Sequence, residues 1–230
     1  MMKHQKRLSA HKHYPIERKN GKYVVVGKGP HSEKTGVPIS ILLREVLGYA
    51  ENATEVKKIL EEKNVKVNGK FVDNPGYVIG FMDSIVIDKV DKNYRVLVDK
   101  NGLVFKEVDD VDKRIYHVRD KTTLKQGKVQ LNLDAGENFL PDDDGFSTGS
   151  SVIVDLGKDE IIGDIGFEQG NLAFITGGSH IGELATLKEK IELPGSQDNK
   201  VLLEKDDGTE FETVEKYVFM VGENKPEVEI

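Results

Sequence analysis

The spacing of apolar residues changes abruptly near residue 65, and this change constrains the fold more than any other feature. From Ile39 to Leu47, apolar residues recur three and four positions apart, which is the period of an amphipathic helix. From Val65 onward, apolar and polar residues alternate, which is the period of a strand. The sequence therefore predicts short helices followed by a long region of strands and turns.

Two short helices are predicted between residues 37 and 62. Pro38 suits the first turn of the first helix, and Gly48 suits its C-terminal cap. Asn52, with Glu55 three residues later, is an N-capping signature for the second helix. The apolar stripe of the second helix consists of Val56, Ile59 and Leu60. We expect the two helices to pack as a pair.

Three hairpins are predicted from turn residues between alternating runs. Asn68-Gly69 follows Val65-Lys66-Val67, and both central residues of such a turn take positive φ. Asn101-Gly102 and Asp207-Gly208 predict the second and third hairpins. Further alternating runs span 128–134, 151–156 and 160–167. Short, evenly spaced strands are typical of small barrels and sandwiches.

The charge is distributed unevenly along the chain. The net charge of −7 would by itself argue against a nucleic-acid partner, because a polyanion attracts a positive surface. Residues 1–70, however, hold 15 Lys and Arg against 7 Asp and Glu, whereas residues 71–230 hold 18 against 33. A chain with a basic head and an acidic body can therefore dock on RNA with one end only.

Residues 1–36 contain nine cations, two acids and four of the six histidines, with few apolar residues. Such a segment offers little apolar surface to offset its ordering entropy. We expect an extended basic arm that becomes ordered on a partner and contributes little to the core. The structural alternative is a frayed terminus.

Composition excludes several classes of site. The chain has no cysteine, which excludes disulfides, cysteine-based zinc sites and thiol nucleophiles. No apolar run approaches the ~18 residues needed to span a bilayer, so we expect no membrane partner and a cytoplasmic location. Its 230 residues are 37% hydrophobic and 7% aromatic and lack tryptophan, which favours several modest domains over one thick-cored enzyme.

One segment resembles the S4 RNA-binding domain. That family combines two short helices with a V-x-V-N-G hairpin, a proline and a G-x-x-D-x-I strand. The matching positions here are Leu43–Leu47, Val65–Lys70, Pro75, Gly80, Asp83 and Ile85. The resemblance extends over about 50 residues and implies RNA binding.

A second segment, GNLAFITGGSHIGELATL from Gly170, resembles the KOW motif of ribosomal proteins and elongation factors. With the opening KHQKRLSAHKHYPI and the S4-like segment, the chain resembles the archaeal and eukaryotic S4e family of small-subunit ribosomal proteins nearly end to end. This resemblance implies a structural component of the small ribosomal subunit, with ribosomal RNA and neighbouring ribosomal proteins as partners. It implies no enzyme activity, no cofactor and no small-molecule substrate.

The expected fold class is therefore α+β multidomain. Residues 1–36 are predicted as the basic N-terminal arm and 37–90 as the S4-type helix-pair-plus-hairpin module. Residues 91–168 are predicted as a β-rich central domain, and 169–230 as a C-terminal KOW domain with an SH3-like β-barrel.

The candidate RNA-binding residues are the cations and histidines of the basic end, the hairpin turn and the KOW loop. Cations spaced every few residues can follow a phosphate backbone. The candidates are Lys3, His4, Lys6, Arg7, His11, Lys12, His13, Arg18, Lys19, Lys22, Lys28, His31, Lys34, Arg44, Lys57, Lys58, Lys66, Asn68, Gly69, Lys70, Gly177, Gly178 and His180. Lys57 and Lys58 also lie four residues before Glu61 and Glu62, so surface ion pairs are an alternative for them.

Other chemistries fit less well. A metal site at the N-terminal histidines is disfavoured by the surrounding cations. Gly177 and Gly182 have phosphate-loop spacing, but Glu183-Leu184 occupies the positions where Lys and Ser or Thr are required. The run 142–144 is interpreted as an aspartate-rich turn.

Two alternative functions remain. Some RNA-modifying enzymes carry S4 domains, although little chain remains after residue 85 for a catalytic domain. A transcription or translation factor could use the KOW segment to contact a protein.

Overall fold

The computed structural model describes residues 4–141, 145–195 and 197–230. Most of the regular secondary structure in the described chain is antiparallel β-strand, with a few short helices. Two compact units are present. Unit 1 contains the residues up to Leu97 and Asn101–Val111, and unit 2 contains Val98–Lys100 and Asp112–Ile230. No helix among the described residues is long and apolar enough to cross a membrane.

Both predicted helices are present in unit 1. Helix α1 spans Ile39–Ile41 and continues as one turn of π-helix, Leu42–Val46, in which the Leu47 N–H donates to the Leu42 carbonyl at 2.9 Å. Helix α2 spans Ala53–Glu61, and the Asn52 side-chain oxygen accepts from two backbone N–H groups of its first turn. The predicted N-cap is confirmed. The wide π turn was not predicted.

Nine of the described strands belong wholly or mainly to unit 1. They are β1 (Gln5–Lys6), β2 (Tyr23–Val24), β3 (Val37–Pro38), β4 (Val65–Val67), β5 (Lys70–Phe71), β6 (Val78–Ile79), β7 (Ser84–Ile87), β8 (Lys92–Asp99) and β9 (Gly102–Glu107). One five-stranded sheet has the order β5-β4-β7-β8-β9, while β1 pairs with β2 and β3 pairs with β6. In the first hairpin Val67 faces Lys70, and Asn68 and Gly69 have φ of 50° and 76°. This is the turn that the Asn-Gly pair predicts.

The main core of unit 1 lies between the helix pair and the five-stranded sheet. Leu42, Leu43 and Val56 from the helical region pack against Val65 and Ile85 from β4 and β7. The residues of β4 alternate, with both valines buried and Lys66 on the other face. The apolar faces that the helical and strand patterns predict therefore pack against each other in one core.

The expected extended arm is wrong for its described part, residues 4–36. Ala10 and Tyr14 are buried in a second cluster with Val37 and Ile41. The Lys28 backbone also donates to the Gly76 carbonyl at 2.7 Å. The segment has few apolar residues, but several of them converge on one part of the fold. The amino-acid composition of the segment therefore gave too low an expectation of how much of it is buried.

The described part of unit 2 has ten strands in two five-stranded antiparallel sheets. They are β10 (Lys113–Thr123), β11 (Val129–Leu133), β12 (Asn138–Phe139), β13 (Ser151–Asp155), β14 (Glu160–Ile165), β15 (Leu172–Ile175), β16 (Leu184–Ile191), β17 (Lys200–Glu204), β18 (Glu210–Val214) and β19 (Val218–Gly222). The orders are β12-β11-β10-β13-β14 and β18-β17-β16-β15-β19. The predicted strands at 128–134, 151–156 and 160–167 are confirmed.

The two remaining hairpin predictions are also confirmed. Strands β8 and β9 are neighbours in the unit 1 sheet and are joined through Asn101. Strands β17 and β18 are joined through Asp207-Gly208, with Glu204 facing Glu210. Short 3-10 helices span Arg7–Ser9, Asp88–Val90, Lys125–Gly127, Asp134–Gly136 and Glu215–Tyr217.

Candidate nucleic-acid interface

Six of the predicted RNA-binding lysines are exposed on the N-terminal segment of unit 1. They are Lys6, Lys12, Lys19, Lys22, Lys28 and Lys34. Within the described part of the chain, none of them forms an ion pair with a carboxylate. Lys3, another candidate, lies outside the described residues. These six lysines are therefore available to phosphate groups.

Cations in the last sheet of unit 2 are held differently, because they sit beside acids. Five lysines there form ion pairs with N–O distances of 2.5 to 3.0 Å. The pairs are Lys188–Glu204, Lys190–Glu215, Lys200–Glu212, Lys205–Glu183 and Lys216–Asp198. Exposed pairs of this kind add little stability, but they leave these lysines locally neutralised.

The two arginines of the N-terminal segment have structural roles. Arg7 is 5% exposed; its Nη2 lies 2.6 Å from a Glu45 carboxylate oxygen, and its Nε donates to the Glu17 carbonyl at 2.7 Å. Arg18 donates to the carbonyls of Ala10 at 2.8 Å and His11 at 2.9 Å. The planar guanidinium suits such multiple contacts. The phosphate-contact role predicted for Arg7 does not fit this buried geometry.

The histidines of the segment contact neighbouring groups. His11 and His13 stack with ring centroids 5.7 Å apart, and both rings lie against Tyr14. His4 is exposed, with its ring 5.5 Å from that of Tyr23. No cluster of three or more His, Asp or Glu residues suited to a metal ion occurs among the described residues. His4 remains a candidate surface contact, whereas His13 faces the Gly36 carbonyl at 3.0 Å.

The buried carboxylate of Asp83 holds the S4-like hairpin through contacts with three neighbouring residues. Asp83 is fully buried; it accepts from the Gly80 N–H at 2.8 Å and the Asn68 side-chain amide at 2.9 Å, and lies 3.1 Å from His31 Nε2. Asn68 in turn accepts from the Ser84 N–H. The side chains of Asn68 and His31, both predicted to contact RNA, therefore hold the hairpin in place. Asp83 is the Asp of the G-x-x-D-x-I pattern, so this position of the pattern has a structural role here.

The helix and strand cations of the S4-like module are largely paired. On α2 the Nζ atoms of Lys57 and Lys58 lie 3.4 and 3.9 Å from carboxylate oxygens of Glu61 and Glu62. These two lysines therefore form the surface ion pairs that were the alternative to RNA contact. Arg44 is partly exposed and lies 4.0 Å from Glu45.

The turn of the hairpin is open to solvent. Gly69 and Lys70 are exposed at its tip. The Lys66 Nζ lies 3.0 Å from an Asp88 oxygen and 5.0 Å from the centroid of the Phe71 ring.

Phe71 was not among the predicted site residues. It is 52% exposed on β5, which is the edge strand of the sheet. Two lysines lie over its ring, Lys66 and Lys63, the latter with Nζ 5.9 Å from the centroid. The alternation from Val65 to Val72 was the available signal, because it places Phe71 on the face opposite to the buried valines.

The predicted KOW loop joins β15 to β16. A Cβ on Gly177 would lie 2.5 Å from the Tyr217 ring, and Gly178 has φ of +87°, so glycine is required at both positions. The His180 Nδ1 lies 3.0 Å from a Glu183 oxygen, and its ring is tilted against that of Phe211 with the centroids 4.1 Å apart.

At this loop Lys205 and His180 both pair with Glu183, so they offer little free positive charge to a phosphate. Hydrogen bonds from Lys205, then from His180, lower the pKa of the Glu183 carboxyl, which is therefore a negative charge at the loop. The acidic turn predicted at Asp142, Asp143 and Asp144 lies outside the described residues.

Comparison with known families matches three segments of the chain. Residues 1–34 match the RS4NT domain, residues 40–85 the S4 domain, and residues 90–161 the ribosomal family S4e. The second match contains all but the first residue of the two helices, together with the Asn68-Gly69 hairpin.

Comparison with individual proteins gives similarity over nearly the full length. The chain is 39% identical to the small ribosomal subunit protein eS4 of Methanosphaera stadtmanae over 232 residues, covering 99% of this chain and 95% of that protein. It is 37% identical to the eS4 protein of Archaeoglobus fulgidus, covering 99% and 97% of the two chains. The crystal structure of the 30S ribosomal protein S4e from Thermoplasma acidophilum superposes with a TM-score of 0.69 at 29% identity, covering 82% of this chain and 95% of that one. With these matches, the fold and the S4-like hairpin show that the chain belongs to the S4e family of ribosomal proteins.

Proposed function

We propose that this protein is a structural component of the small ribosomal subunit and binds its ribosomal RNA. The relatives named small ribosomal subunit protein eS4, which align nearly end to end, support this assignment. A place in the subunit also implies a cytoplasmic location, with ribosomal RNA and neighbouring ribosomal proteins as partners.

The observation that carries the proposal is the contrast between the two sets of lysines. Six exposed lysines on the N-terminal segment have no carboxylate partner among the described residues, whereas five in the last sheet of unit 2 are each paired. Unpaired lysines attract phosphates and release condensed counterions when they bind. A chain with a net charge of −7 thereby presents a local positive surface.

The proposed arrangement has four functional segments. Residues 1–36 supply the phosphate-facing lysines, and residues 37–90 form the S4-type module. Residues 91–168 form the β-rich central segment, although its first two strands, β8 and β9, belong to the sheet of unit 1. Residues 169–230 form the proposed KOW barrel, which the five strands from β15 to β19 support.

The proposed role is structural, not catalytic, which follows from the ribosomal family. The alternative of an RNA-modifying enzyme has no support from the comparisons reported above. The alternative of a transcription or translation factor can be distinguished from a ribosomal component by the number of copies bound per small subunit. A ribosomal component co-sediments with small subunits one to one and resists washing with salt.

The test is a salt titration of RNA binding with matched lysine variants. In one variant Lys12, Lys19 and Lys22 are replaced by Gln; in the control Lys188, Lys200 and Lys216 are replaced by Gln, which changes the net charge equally. Binding to a transcript of archaeal small-subunit ribosomal RNA is measured at four salt concentrations. If the wild-type protein neutralises six to ten phosphates, its affinity for the RNA should fall by a factor of roughly 10³ to 10⁵ between 50 and 200 mM salt.

The first variant should flatten the slope of log affinity against log salt by about one unit per lost contact. The control should keep the wild-type slope, because its lysines are already paired. A control that loses as much slope as the first variant would refute the N-terminal phosphate surface.

A further inference from the structure

Phe71 occupies an unusual place for a large apolar side chain. It lies on the edge strand β5, is 52% exposed and is the second residue after the hairpin turn. Its neighbour Val72 is 5% exposed, and Val65 and Val67 are buried on the same face as Val72. The strand alternation therefore directs Phe71 outward from the core.

The surroundings of the ring are cationic. Phe71 pairs with Lys66 across the hairpin, which places both side chains on the outer face. The Nζ atoms of Lys66 and Lys63 lie 5.0 and 5.9 Å from the ring centroid, within the range of cation–π attraction. Lys70 precedes Phe71 on the same strand and is exposed. Two lysines therefore lie over one exposed aromatic ring.

Asp88 fixes part of this arrangement. Its carboxylate lies 3.0 Å from the Lys66 Nζ, which anchors that lysine beside the ring. The Lys66 charge is consequently shared, while Lys63 adds a second positive charge beside the ring. The ring is positioned in advance, so little conformational entropy is lost when a flat ligand stacks on it.

We infer that Phe71, with Lys63 and Lys66, forms a stacking site for an unpaired RNA base, in which the ring contacts the base and the lysines contact the flanking phosphates. This inference rests on the proposed RNA-binding function and specifies one subsite of it. Unpaired bases splayed from loops and bulges stack on aromatic side chains, whereas paired bases are hidden within the helix. Every base has a π-face, so the site recognises the absence of pairing more than the identity of the base.

The absence of tryptophan from the chain permits a direct test. A Phe71→Trp variant carries a single indole fluorophore at the proposed site. Its matched control is Ile162→Trp, because Ile162 is 48% exposed on β14, which is also an edge strand. Both full-length proteins are titrated with a transcript of archaeal small-subunit ribosomal RNA. Stacking should quench the emission of the first variant as the complex forms and leave the control unchanged.

A second set of variants separates ring stacking from simple apolar contact. Phe71→Ala and Phe71→Leu should each weaken RNA binding by about 5-fold to 150-fold, the range seen when a stacking aromatic is lost. Phe71→Tyr keeps the ring and should bind as the wild type does. Urea unfolding of each variant shows that the fold is intact, which is expected because Phe71 lies outside the core cluster.

The outcomes separate this inference from the function on which it rests. If the wild type fails to bind the RNA at all, the proposed function fails. If it binds while the indole emission of the Phe71→Trp variant is unchanged, or if Phe71→Leu binds as tightly as the wild type, the stacking site is refuted. Shielding of that indole only after small-subunit proteins are added would assign the surface to a protein partner and would also refute it.

Discussion

Tyr14 is the residue at which the packing of the N-terminal segment can be tested most directly. Its side chain is 3% exposed and belongs to a cluster with Ala10, Val37 and Ile41. Its hydroxyl has no hydrogen-bond partner in the part of the chain that the structure describes. Burial is also the main cause that raises the pKa of the Tyr14 phenol, followed by the charge of Glu33.

Two substitutions at this position should have opposite effects. Tyr14→Ala removes a buried aromatic ring and leaves a cavity, which should lower the free energy of unfolding by about 3–5 kcal/mol. Tyr14→Phe keeps the ring and removes a buried polar group without a partner. Because no hydrogen bond is lost, it should leave the free energy unchanged or raise it by about 1 kcal/mol.

The assay is urea unfolding followed by circular dichroism on the full-length chain. Tyr23→Ala is the control, since Tyr23 is 50% exposed and substitutions at such sites change stability by about 0.5 kcal/mol. Deleting residues 1–36 should destabilise the protein at least as much as Tyr14→Ala, because it uncovers Val37 and Ile41. If Tyr14→Ala matches Tyr23→Ala, the segment is an unpacked arm and the reasoning fails.

Three further outcomes follow from buried or paired charges. Asp83→Ala should lower the free energy of unfolding by about 2–4 kcal/mol in urea, because it leaves the buried Gly80 N–H without its acceptor, and a loss below about 1 kcal/mol would contradict the network. His117 has its pKa lowered, first by burial and then by the charge of Arg119, so the unfolded chain takes up a proton that the folded chain excludes. The free energy of unfolding should therefore fall as the pH drops below about 6.5. The His117→Gln variant should show a smaller fall than the wild type when unfolding is compared at about pH 7.5 and 5.5. An equal fall in both proteins would exclude His117 as its source. Replacing Lys57 and Lys58 together by Gln should change the free energy of unfolding by less than about 1 kcal/mol at low salt, as surface i,i+4 pairs do, whereas a larger loss would mean that they support the fold.

Local features of the fold could be predicted because each depends on residues close together in the chain. The Asn68-Gly69 pair specifies a turn with two positive φ values, and the turn is present at the predicted position. Asn52 and Glu55 specify a helix start through contacts two and three residues apart. Strand alternation in β4, β11 and β14 likewise depends only on neighbouring positions.

The candidate site was predicted less completely, because charge counting treats all cations alike. It placed the basic surface at one end of the chain, yet Arg7 is buried and Arg18 binds backbone carbonyls. Whether a cation is free depends on which carboxylate the fold brings to it. The partner of Arg7 is Glu45, which is 38 positions away.

The amino-acid sequence by itself determined the order of helices and strands, the turns and caps, the family and the position of the basic end. Only the tertiary structure decided that Tyr14 is buried, that six lysines lack carboxylate partners among the described residues, and that His31 meets Asp83 from 52 positions away. The physical reason is the range of the interactions. Turn and cap preferences are settled within a few residues, whereas burial and ion pairing depend on segments that become neighbours only when the chain has folded.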